Sequence, residues 1–308
     1  MRIVFMGTPA FAVPSLRAVA AEHEVTLVLT RPDAVRSRGK KLEPSPVKIA
    51  ATEIGLPVLE ANRCTPEVLD ALRAAEADVF CVAAYGCILP DEVLTMAPLG
   101  CVNVHASLLP RWRGAAPIQR CILAGDAQTG VSIMRIGHGV DTGAYCAQAR
   151  CDVPGKTADE LTGELAELGG SLLAHTLPSL ADGTVSWTEQ DEAFVTHAAK
   201  ISKAELRLDP EASETDNIRR VFASSDTAPA RCVLAGKPVR IMHVAAVTPG
   251  APRVDTGSFV IDDKRLYLGC AGDAFEVTAL KPDGKREMDA SAWAAGQHVQ
   301  QGAWSLLA

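Results

Sequence analysis

The sequence predicts an α/β fold with a mostly parallel sheet, followed by a small β-barrel. Short apolar runs alternate with helix-period segments from Arg2 to His105, as in a parallel sheet covered by helices on both faces. Past residue 230 the pattern changes to short strand-like runs punctuated by Gly, Pro and Asp, the rhythm of a small barrel. The 308 residues suit two domains of roughly 100–200 residues each. Such a length buries a core without disulfide or metal staples.

Each element follows from its local pattern. Residues 2–6 read as a buried strand, 14–22 as a helix and 25–29 as a second strand. Residues 46–53 read as a helix opened by Ser45, with a proline at its first position. Residues 57–59 form a candidate third strand, 66–75 a helix, 79–84 a fourth strand and 101–105 a fifth. A later helix, 158–180, carries Leu161, Leu165, Leu168 and Leu172 at helical spacing, a stripe for core packing. Residues 187–210 are polar with charges of both signs, as in a connection between domains. A helical segment near 216–223 then leads into strands at 239–247, 257–261, 266–270 and 275–280.

Composition narrows the function classes. Hydrophobic residues make up 48% and charged residues 22%, which excludes disorder and low complexity. The formal net charge of −7 argues at first against a nucleic-acid partner, since such proteins show a basic footprint. Nine cysteines, an odd number without a Cys-x-x-Cys pair, read as small core hydrophobes of a reducing compartment. The N-terminus runs straight into a strand pattern, unlike a signal peptide. No apolar stretch approaches the length of about 18 residues needed to span a bilayer. The expectation is a cytoplasmic protein away from the membrane. The seven histidines show no ligand spacing, so no metal is expected.

The chemistry is sought past the carboxyl ends of the strands, where open α/β sheets bind ligands. Asn103 and His105 lie two apart on a strand and so share a face. An amide beside an imidazole suits a reaction in which a carbonyl oxygen gains negative charge, the amide donating while the imidazole moves a proton. The plainer reading is two polar residues satisfied at a strand end. The loop 110–119, with Arg111, Arg113 and Gly114, should line the same mouth. The loop 137–143 presents one carboxylate, Asp141, between glycines. An Asp in such a turn is more often structural. Gly7-Thr8-Pro9 lacks the G-x-G-x-x-G spacing of a dinucleotide turn and reads as a tight strand-to-helix connection.

Asn103-x-His105-x-Ser107-Leu108-Leu109-Pro110, followed further on by Asp141-Thr142-Gly143, resembles the core of the 10-formyltetrahydrofolate-dependent formyltransferases. The resemblance extends through Met6-Gly7-Thr8-Pro9, Arg38-Gly39-Lys40-Lys41-Leu42, Pro44-Ser45-Pro46-Val47-Lys48 and the string from Ser107 to Gln119. It is close to about residue 190 and holds only in outline beyond. It implies a Rossmann-like catalytic domain over 1–189, a linker at 190–208 and an OB-like, tRNA-binding barrel over 209–308. Also implied is transfer of a formyl group from 10-formyltetrahydrofolate, as co-substrate, to the α-amine of methionine esterified to initiator tRNA. By position, Asn103, His105 and Asp141 take the catalytic roles. Ser107, Leu108, Leu109, Pro110 and Gly114 take the folate-binding segment. The protein is expected to act as a monomer.

A local charge makes the tRNA partner compatible with the acidic total. Residues 31–48 carry six basic residues against two acidic ones, a net +4. A loop this long between a strand and a helix is unusual in a compact domain, although most charge runs are simply solvated. The resemblance places this insertion at the tRNA acceptor stem, with Arg36, Arg38, Lys40 and Lys41 as contacts. The last hundred residues carry 11 basic and 13 acidic residues, with Arg240, Arg265, Lys281, Lys285 and Arg286 as further candidates. Two rivals remain at this point. One is a folate-dependent formyltransferase for a small-molecule amine, a ribonucleotide or nucleotide sugar. The other is a catalytically silent RNA- or folate-binding protein.

Overall fold

A computed structural model describes residues 1–35, 42–246 and 250–307. The chain divides into two compact units. One comprises Met1–Pro117, Gln128–Asp152 and Leu161–Ala198; the other comprises Ile118–Ala127, Val153–Glu160 and Ala199–Ala308.

The first unit is built on a seven-stranded sheet. Strands β1 (Arg2–Gly7), β2 (Glu24–Thr30), β5 (Val58–Glu60), β6 (Val79–Ala83) and β7 (Cys101–His105) run parallel, in the order β5-β2-β1-β6-β7. β1, β2, β6 and β7 are legible as apolar runs because parallel strands are buried on both faces; every residue of β6 is buried, whereas the edge strand β5 is only partly covered. Two antiparallel strands, β8 (Gln128–Arg135) and β9 (Tyr145–Asp152), extend the sheet beyond β7. Neither is predicted from the sequence. The edge strand β9 is half-exposed over most of its length, so it lacks the alternation that marks a strand. A two-stranded ribbon, β3 (Ala34–Val35) with β4 (Leu42–Glu43), brackets the basic segment.

Helices cover the sheet. Helix α1 (Val13–Glu22) follows β1, α2 (Pro46–Glu53) precedes β5, and α3 (Pro66–Ala74) precedes β6. A short α4 (Asp91–Leu94) leads to β7; α5 (Pro117–Ala124), next in the chain, falls almost wholly in the second unit. One core cluster joins Val4, Met6, Leu29, Phe80 and Val82 of the sheet to Val68 and Leu72 of α3. The long helix α6 (Ala158–Ala181) approaches the sheet through Gly169 and helix α1 through Gly170. A Cβ on Gly169 would lie 2.6 Å from Val104 Cγ1, and one on Gly170 2.8 Å from the Pro14 backbone. Any side chain there would force the helix away.

Helix α2 begins where Ser45 and Pro46 predict. The Ser45 hydroxyl accepts from Lys48 N at 2.9 Å and pairs with the Thr30 hydroxyl at 2.7 Å. Ser45 is fully buried. Ser45→Ala is expected to cost about 1–2 kcal/mol, from the lost cap and the stranded Thr30 hydroxyl. An unchanged urea midpoint would show that water replaces the cap.

The second unit contains a closed antiparallel barrel. Strands β10 (Arg231–Leu234), β11 (Lys237–Ala245), β12 (Ser258–Asp262), β13 (Arg265–Gly269), β14 (Ala274–Pro282) and β16 (Gln301–Ser305) follow the order β11-β10-β16-β12-β13-β14. Pairing of β14 with β11 closes the ring, and β15 (Met288–Asp289) adds to β14. Closure leaves the ring without an exposed edge. Helices α7 (Glu214–Phe222) and α8 (Ala290–Ala295) belong to this unit, and Val221, Ala290 and Ala294 join the barrel strands in one core. β10, only four residues long, and the mostly polar β16, which buries only Trp304, carry too little pattern to be predicted from the sequence.

The nine cysteines are free thiols, and Cys81, Cys101, Cys121, Cys232 and Cys270 are buried. Burial pushes the Cys101 and Cys232 thiols up to about 12, so both stay protonated and behave as apolar core groups. No helix of the described residues is long and apolar enough to cross a membrane.

Candidate functional site

The sheet order reverses direction at β1, whose neighbours β2 and β6 lie on opposite sides. Ligands bind beyond the carboxyl ends at such a switch point. Thr8, just past β1, donates its hydroxyl to Tyr85 O at 3.0 Å, tying the ends of β1 and β6 together. The neighbouring strand β7 ends at His105.

Asn103 and His105 occupy alternate positions of β7, opposite Met134 and Ser132 of β8. His105 is 6% exposed. Its Nε2 lies 3.0 Å from Trp112 O, and since a carbonyl only accepts, the Nε2 hydrogen is the donor. Its Nδ1 lies 3.6 Å from Asp141 Oδ2. That same carboxylate oxygen accepts from Gly114 N at 2.9 Å. The imidazole and the Asp141 carboxylate thus meet from segments separated in the chain by one helix and one strand, β8. Asn103 is half-buried, and its side chain has no hydrogen-bond partner among the described residues.

The 107–110 segment is locked from beneath. The Ser132 hydroxyl donates to Ser107 O at 2.7 Å and accepts from Leu109 N at 3.1 Å. Gln148 Nε2 donates to Leu109 O and Ser132 Oγ, both at 2.9 Å. Ser107 donates to Arg111 O at 2.6 Å. Ser107 and Leu109 are buried, whereas Leu108 and Pro110 are half-exposed. The peptide bond between Leu109 and Pro110 is cis. Gly114 has φ +120°, and a Cβ there would sit 2.9 Å from Ala198 O, so glycine is required at that turn.

The segment read as the start of a polar connection is part of this wall. Thr196 O accepts from Arg113 N at 2.9 Å, Ala198 N donates to Arg113 O at 2.7 Å, and Thr196 Oγ1 accepts from Trp112 N at 2.9 Å. Arg113 is 4% exposed, with its guanidinium on Gln190 Oε1 at 2.8 Å and Glu192 Oε1 at 2.9 Å. Gln190, Gln148, Ser132 and Thr196 were not singled out from the sequence. Isolated polar residues in polar stretches carry no signal of burial.

The four cations expected on the basic loop, Arg36, Arg38, Lys40 and Lys41, lie outside the described residues. Of the flanking cations, Lys48 pairs with Asp33 at 2.8 Å and Glu60 at 2.9 Å. The Asp33 hydrogen bond leads in raising its pKa above the ordinary lysine value. Arg31 donates to Asn62 at 3.0 Å. In the barrel, Arg240 pairs with Asp226 at 2.5 Å and Arg265 pairs with Glu276. Lys285 and Arg286 are exposed.

Comparison with known proteins bears on both units. Residues 1–177 match the formyl transferase family, and residues 200–298 match its C-terminal domain. The chain belongs to the formyl transferase family. Methionyl-tRNA formyltransferase of Methylococcus capsulatus (strain Bath) is 46% identical over 94% of this chain and 95% of its own length. The protein of that name from Neisseria meningitidis serogroup B is 43% identical over 98% of this chain and 99% of its own. Among solved structures, HypX of Aquifex aeolicus in complex with tetrahydrofolic acid matches with a TM-score of 0.65 at 18% identity. That match covers 96% of this chain but 47% of HypX, so the chain spans about half of it. At such identity the likeness shows a shared fold. Membership of the formyl transferase family agrees with the α/β sheet and closed barrel.

Proposed function

We propose that the protein transfers the formyl group of 10-formyltetrahydrofolate to the α-amine of methionine esterified to initiator tRNA, giving N-formylmethionyl-tRNA for translation initiation. The observation that carries the chemistry is the meeting of His105, the last residue of β7, with Asp141, Nδ1 lying 3.6 Å from Asp141 Oδ2, while Asn103 lies two residues before His105 on the same strand. Near-full-length similarity to proteins named for the methionyl-tRNA reaction favours tRNA over a small-molecule amine as acceptor.

In this reading the amine nitrogen attacks the formyl carbon and the formyl oxygen becomes an oxyanion. The Asn103 amide, unpartnered among the described residues, donates to that oxygen, joined by a proton-bearing His105. One such donor contributes about 2.7–4 kcal/mol to the barrier reduction. Asp141, held by Gly114 N, keeps the imidazole oriented. As the tetrahedral centre collapses, the bond to N10 breaks; the amine has lost one proton and N10 has gained one. Leu108 and Pro110 offer the exposed part of the folate segment, while buried Ser107 and Leu109 fix its backbone with Gly114 beside it.

Residues 1–189 carry the chemistry in this proposal with 190–198 packed against the site loop, the rest of 190–208 connects, and 209–308 bind tRNA. The setting is the cytoplasm and the acting species a monomer. The direct test is formyl transfer from 10-formyltetrahydrofolate to methionyl initiator tRNA by purified protein. Transfer to glycinamide ribonucleotide or an amino sugar nucleotide, without transfer to tRNA, would overturn the assignment. The basic loop gives a second test. Lys40→Ala combined with Lys41→Ala is expected to raise KM for tRNA. The slope of log affinity against log salt should flatten by about 0.7–0.9 per lost phosphate contact. An unchanged slope would make the loop a bystander.

A further inference from the structure

The geometry points to Gln190 as a positioning residue that holds the Asp141 carboxylate against His105, with Arg113 as its anchor. This rests on the proposed role of the His105–Asp141 pair and extends it to a residue outside the motifs.

Gln190 is 9% exposed, and every polar atom of its side chain is used. Nε2 donates to Asp141 O at 2.8 Å and to Gly143 O at 2.7 Å, while Oε1 accepts from Arg113 Nε at 2.8 Å. The amide orientation is settled from both ends, because carbonyls only accept and a guanidinium only donates. Asp141 has φ +53°, a left-handed conformation that a non-glycine residue adopts only where its surroundings impose it. The two hydrogen bonds from Gln190 span that residue and clamp the turn on either side of Thr142.

Arg113 reaches the same turn by two routes. Its guanidinium orients Gln190, and the next residue, Gly114, donates its N–H to Asp141 Oδ2 at 2.9 Å. The side-chain route fixes the backbone of Asp141, and the backbone route fixes its carboxylate. Glu192 accepts from the far end of the Arg113 guanidinium at 2.9 Å, so the anchor is itself held. Releasing the clamp lets the Asp141 backbone leave its left-handed conformation and moves the carboxylate off the imidazole. The 3.6 Å separation from Nδ1 leaves little room before the pairing is lost.

Gln190→Glu tests this. The carboxylate keeps an acceptor for Arg113 but faces the Asp141 and Gly143 carbonyls with an oxygen where a donor belongs. Gln190→Met keeps the length and removes all three hydrogen bonds. Both variants are assayed as full-length protein for transfer to methionyl initiator tRNA, with circular dichroism confirming the fold. The expected result is a kcat lower by about ten- to 10²-fold, the cost of a small misplacement of a reacting group. KM for both substrates should stay within about threefold, because the interaction lost belongs to the transition state. In an Asp141→Ala background, Gln190→Glu should add no further loss, since its effect runs through Asp141. A folded Gln190→Glu or Gln190→Met variant with unchanged kcat overturns the inference. So does an equal loss in both backgrounds, the mark of a merely structural residue. Full activity of His105→Ala would instead overturn the reading of the site on which the inference rests.

Discussion

His105→Ala is expected to lower formyl transfer by about 10³-fold or more, with the chain still folded. Two losses combine. An oxyanion donor is worth about 10²–10³ in rate, and a positioned proton-transfer group about 10²–10⁴. The structural cost is smaller. His105 makes one hydrogen bond, to Trp112 O at 3.0 Å, at the end of a strand whose pairing with β6 and β8 is made by backbone. A stability loss of about 1–3 kcal/mol follows from the carbonyl left without its donor. Single-turnover transfer to methionyl initiator tRNA, with a parallel melting curve, separates the two effects. A folded His105→Ala protein that keeps even a tenth of the native rate would remove the imidazole from the chemistry.

Trp304→Ala is expected to produce the largest loss of stability in the barrel, about 3–5 kcal/mol for a buried aromatic cut to Ala. Trp304 is 2% exposed and lies on β16, which bridges β10 and β12 within the ring. Its indole N–H donates to Gly269 O at 2.8 Å. Its ring meets Phe275 edge-on at 6.1 Å between centroids. The substitution therefore empties a core position and strands a buried carbonyl at once. Trp304→Phe keeps an aromatic ring in the core but loses the N–H donor and part of the indole volume, and should cost less, about 1–3 kcal/mol. Near-UV circular dichroism during urea unfolding reads both. Equal losses for the two variants would show that the hydrogen bond, rather than the packing, dominates.

Most of the parallel strands buried on both faces were legible, whereas β8, a polar-flanked antiparallel strand with six buried residues in succession, was not. β1, β2, β6 and β7 read as continuous apolar runs because helices cover both faces of a parallel sheet. Helix α2 was legible from Ser45 and Pro46, whose chemistry acts within four residues. β9 and β16 were missed because their exposed or polar residues break the period. The net charge of −7 misdirected as long as it was treated as uniform; residues 31–48 alone hold +4.

The candidate site divides along the same line. Asn103 and His105 announce themselves, because two residues apart on a strand means one face. Asp141 came from resemblance, since one Asp in a glycine turn has no periodicity. The Arg113 loop is expected at the mouth of the site, but nothing in the sequence marks the burial of its side chain or of Gln190, which lies in the polar connection. Their burial comes from the chain at 190–198 returning alongside 110–116, with the Arg113–Gln190 bond spanning 77 positions of sequence. Local pattern on its own marked most of the parallel strands, several helices and the pair Asn103 and His105 as candidates, because propensity, capping and alternation act within a few residues. Which polar groups lose their water and find each other instead depends on segments far apart in the chain. That pairing, which holds the Asp141 carboxylate beside His105, exists only once the sheet and its loops have folded.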